Sequence, residues 1–122
     1  MKKVAVLIVG HGSKSAAAVK DFEGIVECVR AKGEYETVLG AHMELASPSI
    51  QESVDALYAE QYREIIVVPY FLYEGNHIRF DIPEILQEIQ KKYPDLIFKF
   101  ARHIGVEPSM ADILIRRAKE ME

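Results

Sequence analysis

The sequence predicts an α/β fold: a four-stranded parallel sheet flanked by helices. Three observations carry this. Apolar, β-branched-rich runs recur at Val4–Val9, Tyr35–Leu45, Ile65–Leu72 and Leu96–Phe100. Unbroken runs of this kind read as strands buried on both faces. Between them lie stretches whose apolar residues recur at helical spacing. The connections are short, and such alternation requires parallel strands with right-handed crossovers. A flavodoxin-like strand order, 2-1-3-4, is the expectation.

The first strand, Val4–Val9, stops at Gly10-His11-Gly12-Ser13. Glycines there allow a sharp turn and a close backbone approach. From Ser15 to Lys32, Val19, Phe22, Ile25, Val26 and Val29 mark one helical face, and Gly33 is a stop. The second strand ends at Ala46-Ser47-Pro48-Ser49. Both Ser47 and Ser49 fit as the helix cap, the latter with Glu52 as a capping box. Ile50, Val54, Leu57 and Tyr58 share the next helical face. Pro69 cannot donate to a ladder, so the regular third strand ends near it. Tyr73 to His77 reads as a loop, and a third helix starts at Asp81–Pro83 with Ile82, Ile85, Leu86 and Ile89 inward. Pro94-Asp95 turns into the fourth strand. Residues Arg102 to Glu107 leave it, and Pro108 opens a last helix with Met110, Ile113, Leu114 and Ala118 inward.

A chain of 122 residues suits one domain, 1–122. With 49% hydrophobic and 28% charged residues, disorder is excluded. A net charge of −4 argues against a nucleic-acid partner. No apolar stretch reaches the roughly 20 residues that span a membrane. The N-terminal apolar run is too short for a signal peptide. Cys28 has no internal partner and falls mid-helix, so a buried thiol in a reducing cytoplasm is expected.

Parallel strands place their carboxyl ends on one edge, where open α/β sheets bind ligands. His11 follows the first strand, Glu44 ends the second, and His77 lies after the third. Two imidazoles and a carboxylate from adjacent loops suit a borderline divalent cation such as cobalt, nickel, iron or zinc. His42 reads as a histidine held in the sheet, while His103 is left open between surface and cleft. Phe71 reads as core, and Tyr73 is left open. Lys14, Arg79 and Arg102 fall near the same edge of an acidic protein. Helix N-termini there also favour anions. Together they point to a small polyanionic ligand.

The segments Val9-Gly10-His11-Gly12-Ser13, Met43-Glu44-Leu45-Ala46-Ser47-Pro48-Ser49, Val67-Val68-Pro69-Tyr70-Phe71-Leu72 with Gly75-Asn76-His77, and Arg79-Phe80-Asp81-Ile82-Pro83 resemble the small CbiX-type sirohydrochlorin chelatases. The likeness runs through nearly the whole chain. It implies a chelatase fold, a symmetric homodimer, and insertion of cobalt into sirohydrochlorin on the anaerobic route to cobalamin. Nickel insertion occurs in some archaeal members. No permanently bound cofactor is implied, since Co2+ or Ni2+ is consumed as substrate. By the resemblance, His11 is proton acceptor and metal ligand, and His77 is the second metal-binding histidine. Glu44 is the acidic residue near the metal. Ser47 and the loop Leu72, Tyr73, Glu74, Gly75, Asn76 and His77 contact substrate. Lys14 and Arg79 are the anion contacts that the charge pattern itself offers. The macrocycle's eight carboxylates account for a basic rim.

Two rivals stand beside this reading. A non-enzymatic carrier of metal or tetrapyrrole would use the same site. A histidine phosphatase-like enzyme also has a histidine-glycine pair after its first strand, but it carries arginine where this chain has Gly10. No nucleotide-binding motif is present: Gly10-His11-Gly12 lacks a third glycine and a P-loop lysine.

Overall fold

The computed structural model describes residues 3–122. The described residues alternate β1 (Val4–Gly10), α1 (Ala16–Ala31), β2 (Thr37–His42), α2 (Ile50–Ala59), β3 (Glu64–Pro69), α3 (Ile82–Lys92), β4 (Ile97–Phe100) and α4 (Pro108–Lys119). A π-helical turn, His77–Asp81, leads into α3. The sheet is parallel with order β2-β1-β3-β4, as the alternation predicts.

The central strand β1 is paired on both sides, with Val9 level with Ala41 and Pro69. Its alternate residues therefore enter two cores. Ala5, Leu7 and Val9 pack with Val54 and Leu57 of α2 and Ile82, Leu86 and Ile89 of α3. Val6 and Ile8 pack with Phe22 and Val26 of α1. Val54 and Leu57 are fully buried, and burial of such a side chain stabilises by about 1.5–3 kcal/mol.

Local chemistry explains the boundaries. Ser49, not Ser47, caps α2: its hydroxyl accepts from the Glu52 amide, and the Glu52 carboxylate accepts from the Ser49 amide. Strand β2 ends at His42, shorter than its apolar run, because the His42 amide turns to the Pro48 carbonyl at 2.8 Å. Strand β3 stops at Pro69, where the ladder loses its donor. Helical winding begins at His77 instead of Asp81, because Ile78 and Arg79 both donate to the Gly75 carbonyl.

Two expectations fail. Cys28 is exposed, because the buried stripe of α1 narrows to Phe22 and Val26. Helix α4 buries none of its residues: Met110 and Ile113 are half-buried, while Leu114 and Ala118 are exposed. The amphipathic pattern of α4 is real, but the described residues cover its apolar side only in part, leaving Leu114 and Ile115 exposed.

Candidate functional site

The carboxyl edge of the sheet gathers three loops. The Met43 amide donates to the Gly10 carbonyl at 2.9 Å, and the Glu44 amide donates to the His11 carbonyl at 3.2 Å. These bonds lay the second loop along the first. Gly12 makes the approach possible. It has φ +97, and a Cβ there would lie 1.7 Å from the Glu44 carbonyl oxygen. Only glycine accepts both that dihedral and that contact. On the other side, the Tyr70 amide donates to the Val9 carbonyl at 2.8 Å. The third loop is braced in turn by the fourth, through Ile104 to the Phe71 carbonyl and Gly105 to the Leu72 carbonyl.

This scaffold brings His11, Glu44 and His77 together. His11 Nε2 lies 3.3 Å from Glu44 Oε1. The His11 and His77 rings meet edge to face, with centroids 4.7 Å apart. Phe71 lies behind His77, its centroid 6.4 Å away, and packs against the main core. All three polar side chains are about half exposed, so a ligand can reach them.

Hydrogen bonds fix the chemistry of the two rings. His11 Nδ1 lies 3.1 Å from the Gly12 carbonyl, and a carbonyl only accepts. Nδ1 therefore carries the hydrogen, and in the neutral ring Nε2 offers its lone pair toward Glu44. His77 Nδ1 is 2.8 Å from Asp81 Oδ2, which likewise leaves Nε2 as the free nitrogen. A lone pair facing a carboxylate oxygen across 3.3 Å invites a proton or a cation between them. Among the described residues, no group of three or more His, Cys, Asp or Glu side chains is arranged to hold a metal ion by itself.

The surroundings divide into an apolar rim and charged flanks. Tyr70, Leu72, Tyr73 and Phe80 are exposed, Tyr73 at 81%. Glu74 pairs with Arg79 at 3.5 Å, and Gly75 and Asn76 complete an exposed third loop. A cleft of about 510 Å³ is lined by Arg79, Arg102 and His103, which places His103 at its wall. Lys14 is exposed beside His11 on the first loop. The Ser47 hydroxyl donates to Glu52 Oε1 at 3.2 Å. A second cavity of about 300 Å³ reaches from His11 past Phe22 to His42 and Tyr70. His42 is 3% exposed and packs at a tilt against Phe22, so it is held in the sheet, as its position predicts. Asp81 is the one site residue the sequence reading passed over. Its signal was the four-residue spacing from His77, obscured by reading His77 as loop.

Comparison with known proteins agrees with this fold. The CbiX family model matches residues 5–121. A sirohydrochlorin cobaltochelatase of Methanopyrus kandleri is 34% identical, over 96% of both chains. The crystal structure of a putative CbiX cobalamin-biosynthesis protein from Marinobacter aquaeolei superposes with a TM-score of 0.81 at 27% identity, covering 97% of this chain and 96% of that one. The sirohydrochlorin chelatase SirB of Bacillus subtilis subspecies spizizenii, solved in complex with cobalt, gives 0.92 at 28% identity. There 98% of this chain matches only 51% of the other, so this chain spans about half the length of that relative.

Proposed function

The chain belongs to the CbiX family, and from that premise we propose that it inserts a divalent metal ion, cobalt or nickel, into sirohydrochlorin. The observation that carries the reading is the His11–Glu44 pair. It joins a nitrogen whose tautomer is fixed by Gly12 to a carboxylate held by its own backbone bond to His11. Nε2 of His77 beside it supplies a second neutral donor of the kind borderline cations accept.

The reaction exchanges one divalent ion for two pyrrole N–H protons, so the site must deliver a cation and remove protons. His11, Glu44 and His77 hold the incoming ion while the macrocycle's nitrogens displace its remaining waters. As the ion moves to those nitrogens, His11 Nε2 is released and accepts one of the two protons, as a neutral imidazole does well near pH 7, and the other passes to solvent at the exposed edge of the site. The exposed Leu72, Tyr73 and Phe80 offer a flat apolar rim to the ring's face. Lys14, Arg79 and Arg102 meet its peripheral carboxylates, and Ser47 and the Leu72–His77 loop complete the substrate contacts.

A second copy of the chain completes the assembly. Half of one sheet face is open: Ile66 and Val68 are only partly buried, and Ile97 is 50% exposed. Leu114 and Ile115 of α4 are also uncovered, at 69% and 57% exposure. The double length of the SirB relative supports a second unit of the same kind as the occupant. The homodimer works in the cytoplasm, where the exposed Cys28 stays reduced.

The test is anaerobic incubation of sirohydrochlorin and Co2+ with wild-type protein and with His11→Ala, followed by the change in the macrocycle's absorption. Acceleration by the wild type alone supports the reading. A protein that binds both substrates without raising the rate is a carrier, and that result overturns it.

A further inference from the structure

We propose that Asp81 is a positioning residue for His77, fixing the tautomer and direction of its imidazole toward the incoming cation. The inference rests on the chelatase reading above and deepens it. Asp81 stands where an aspartate ordinarily caps a helix, yet its side chain makes no capping bond to α3. The chain is already helical there, with Asp81 at φ −70 and ψ −49, so the first amides of α3 are served by the preceding turn. The Ile82 amide, for example, donates to the His77 carbonyl. The carboxylate is thereby free to turn toward the site. Its Oδ2 accepts from His77 Nδ1 at 2.8 Å, a charge-assisted length.

The backbone makes this pairing. The π-helical turn His77–Asp81 sets the two side chains one turn apart on a common face. Such turns are rare and concentrate at functional sites. Buried Ile78 anchors the turn to the body. With Nδ1 held, Nε2 is left as the only lone pair of His77, on a ring seated against His11. Carboxylate–histidine pairs of this form orient metal-ligating imidazoles and raise their basicity as ligands. A merely structural ion pair is a poorer account. Both side chains are nearly half exposed, and such surface pairs contribute little to stability.

The test uses the metal alone. Wild type, His77→Ala, Asp81→Ala and Asp81→Asn are titrated with Co2+ at fixed pH. Cobalt's visible absorption reports ligand geometry, and competition with a chelating dye reports affinity. Thermal unfolding of each metal-free variant is measured alongside. Asp81→Ala should weaken Co2+ binding about 10- to 100-fold and alter the cobalt spectrum, with an unfolding midpoint close to wild type. Asp81→Asn keeps an acceptor oxygen for Nδ1 and should recover much of the loss. If wild type shows a His77-dependent cobalt signal that Asp81→Ala leaves unchanged, the positioning role is wrong while the chelatase reading stands. If wild type shows no His77-dependent signal, His77 is no ligand, and both fall. An Asp81→Asn variant as weak as Asp81→Ala would also contradict the hydrogen-bond argument.

Discussion

Replacing Gly12 by alanine tests how the loops assemble the site. A Cβ at this position would lie 1.7 Å from the Glu44 carbonyl oxygen, whereas real Cβ atoms come no closer than 3.0 Å. The obstacle is backbone, so no side chain can swing away. The first two loops must part by the difference, 1.3 Å, or the peptide must rotate away from φ +97. A non-glycine residue in that conformation costs about 1–3 kcal/mol. For a domain of this size, about 4 °C per kcal/mol, the unfolding midpoint should fall by about 4–12 °C. The larger effect is on chemistry. Parting the loops pulls Glu44 from His11, and a displacement of about 1 Å can cost about 100-fold in rate. The assay is cobalt insertion at a temperature where circular dichroism shows the variant fully folded. Gly24→Ala is the control: no atom lies within 4 Å of its Cβ, and removing a mid-helix glycine should add about 0.5–1 kcal/mol without touching the rate. A Gly12→Ala protein with the wild-type midpoint and rate would refute the reasoning, because the loops would then not be in contact through this residue.

Three further outcomes follow from the same structure. Acid should unfold the protein as three depressed carboxylates protonate. Bonds from the Ser49 amide and hydroxyl hold Glu52 below its ordinary 4.5, while the Tyr93 and Tyr58 hydroxyls hold Asp55 and Asp95 below 3.8. Groups depressed in the folded state contribute stability that is present above their unfolded values and lost as pH falls through the folded ones. The unfolding midpoint should therefore drop below about pH 4.5, less steeply in Tyr93→Phe, and equal slopes for the two proteins would count against the Asp55 bond. At the alkaline end, the bond to Asp95 raises Tyr58 above 10.0, so its stabilisation should persist at pH 10 and fade as pH rises through the higher folded value; spectrophotometric titration should find one tyrosine ionising late. Leu114→Glu, on the uncovered side of α4, should shift wild-type dimers toward monomers in sedimentation velocity without lowering the monomer's helix content. A wild type that sediments as a monomer at micromolar concentration would contradict the second-copy assignment.

The sheet was legible because its strands obey strong rules. Val4–Val9 and Ile65–Val68 are apolar without interruption, the pattern of parallel strands inside a sheet, although Ile66 and Val68 are only partly buried on one face. Alternation and handedness made the strands parallel, and the flavodoxin-like order 2-1-3-4 was an expectation that the sheet matches. Boundaries were less legible where tertiary bonds compete with pattern. The run through Leu45 reads as strand, but the Pro48 carbonyl captures the His42 amide and ends it. Helix α4 has the periodicity of a packed helix, yet periodicity says only that one side wants cover, not which chain supplies it. Within the site, His11 and Glu44 were legible as neighbours because each follows a strand, β1 or β2, at the same sheet edge. Asp81 was not, since its four-residue spacing from His77 has meaning only once the segment between them winds as a helical turn.

In the proposed function, His11, oriented by Gly12 and faced by Glu44, carries metal to the macrocycle. The most direct measurement of that role is the initial rate of Co2+ insertion into sirohydrochlorin, without oxygen, at saturating substrate. Wild type, His11→Ala and an uncatalysed control are compared, with circular dichroism confirming the fold of each protein. Wild type should far exceed the control, and His11→Ala should fall to near the control rate while remaining folded. A folded His11→Ala protein that inserts cobalt at the wild-type rate would contradict that role.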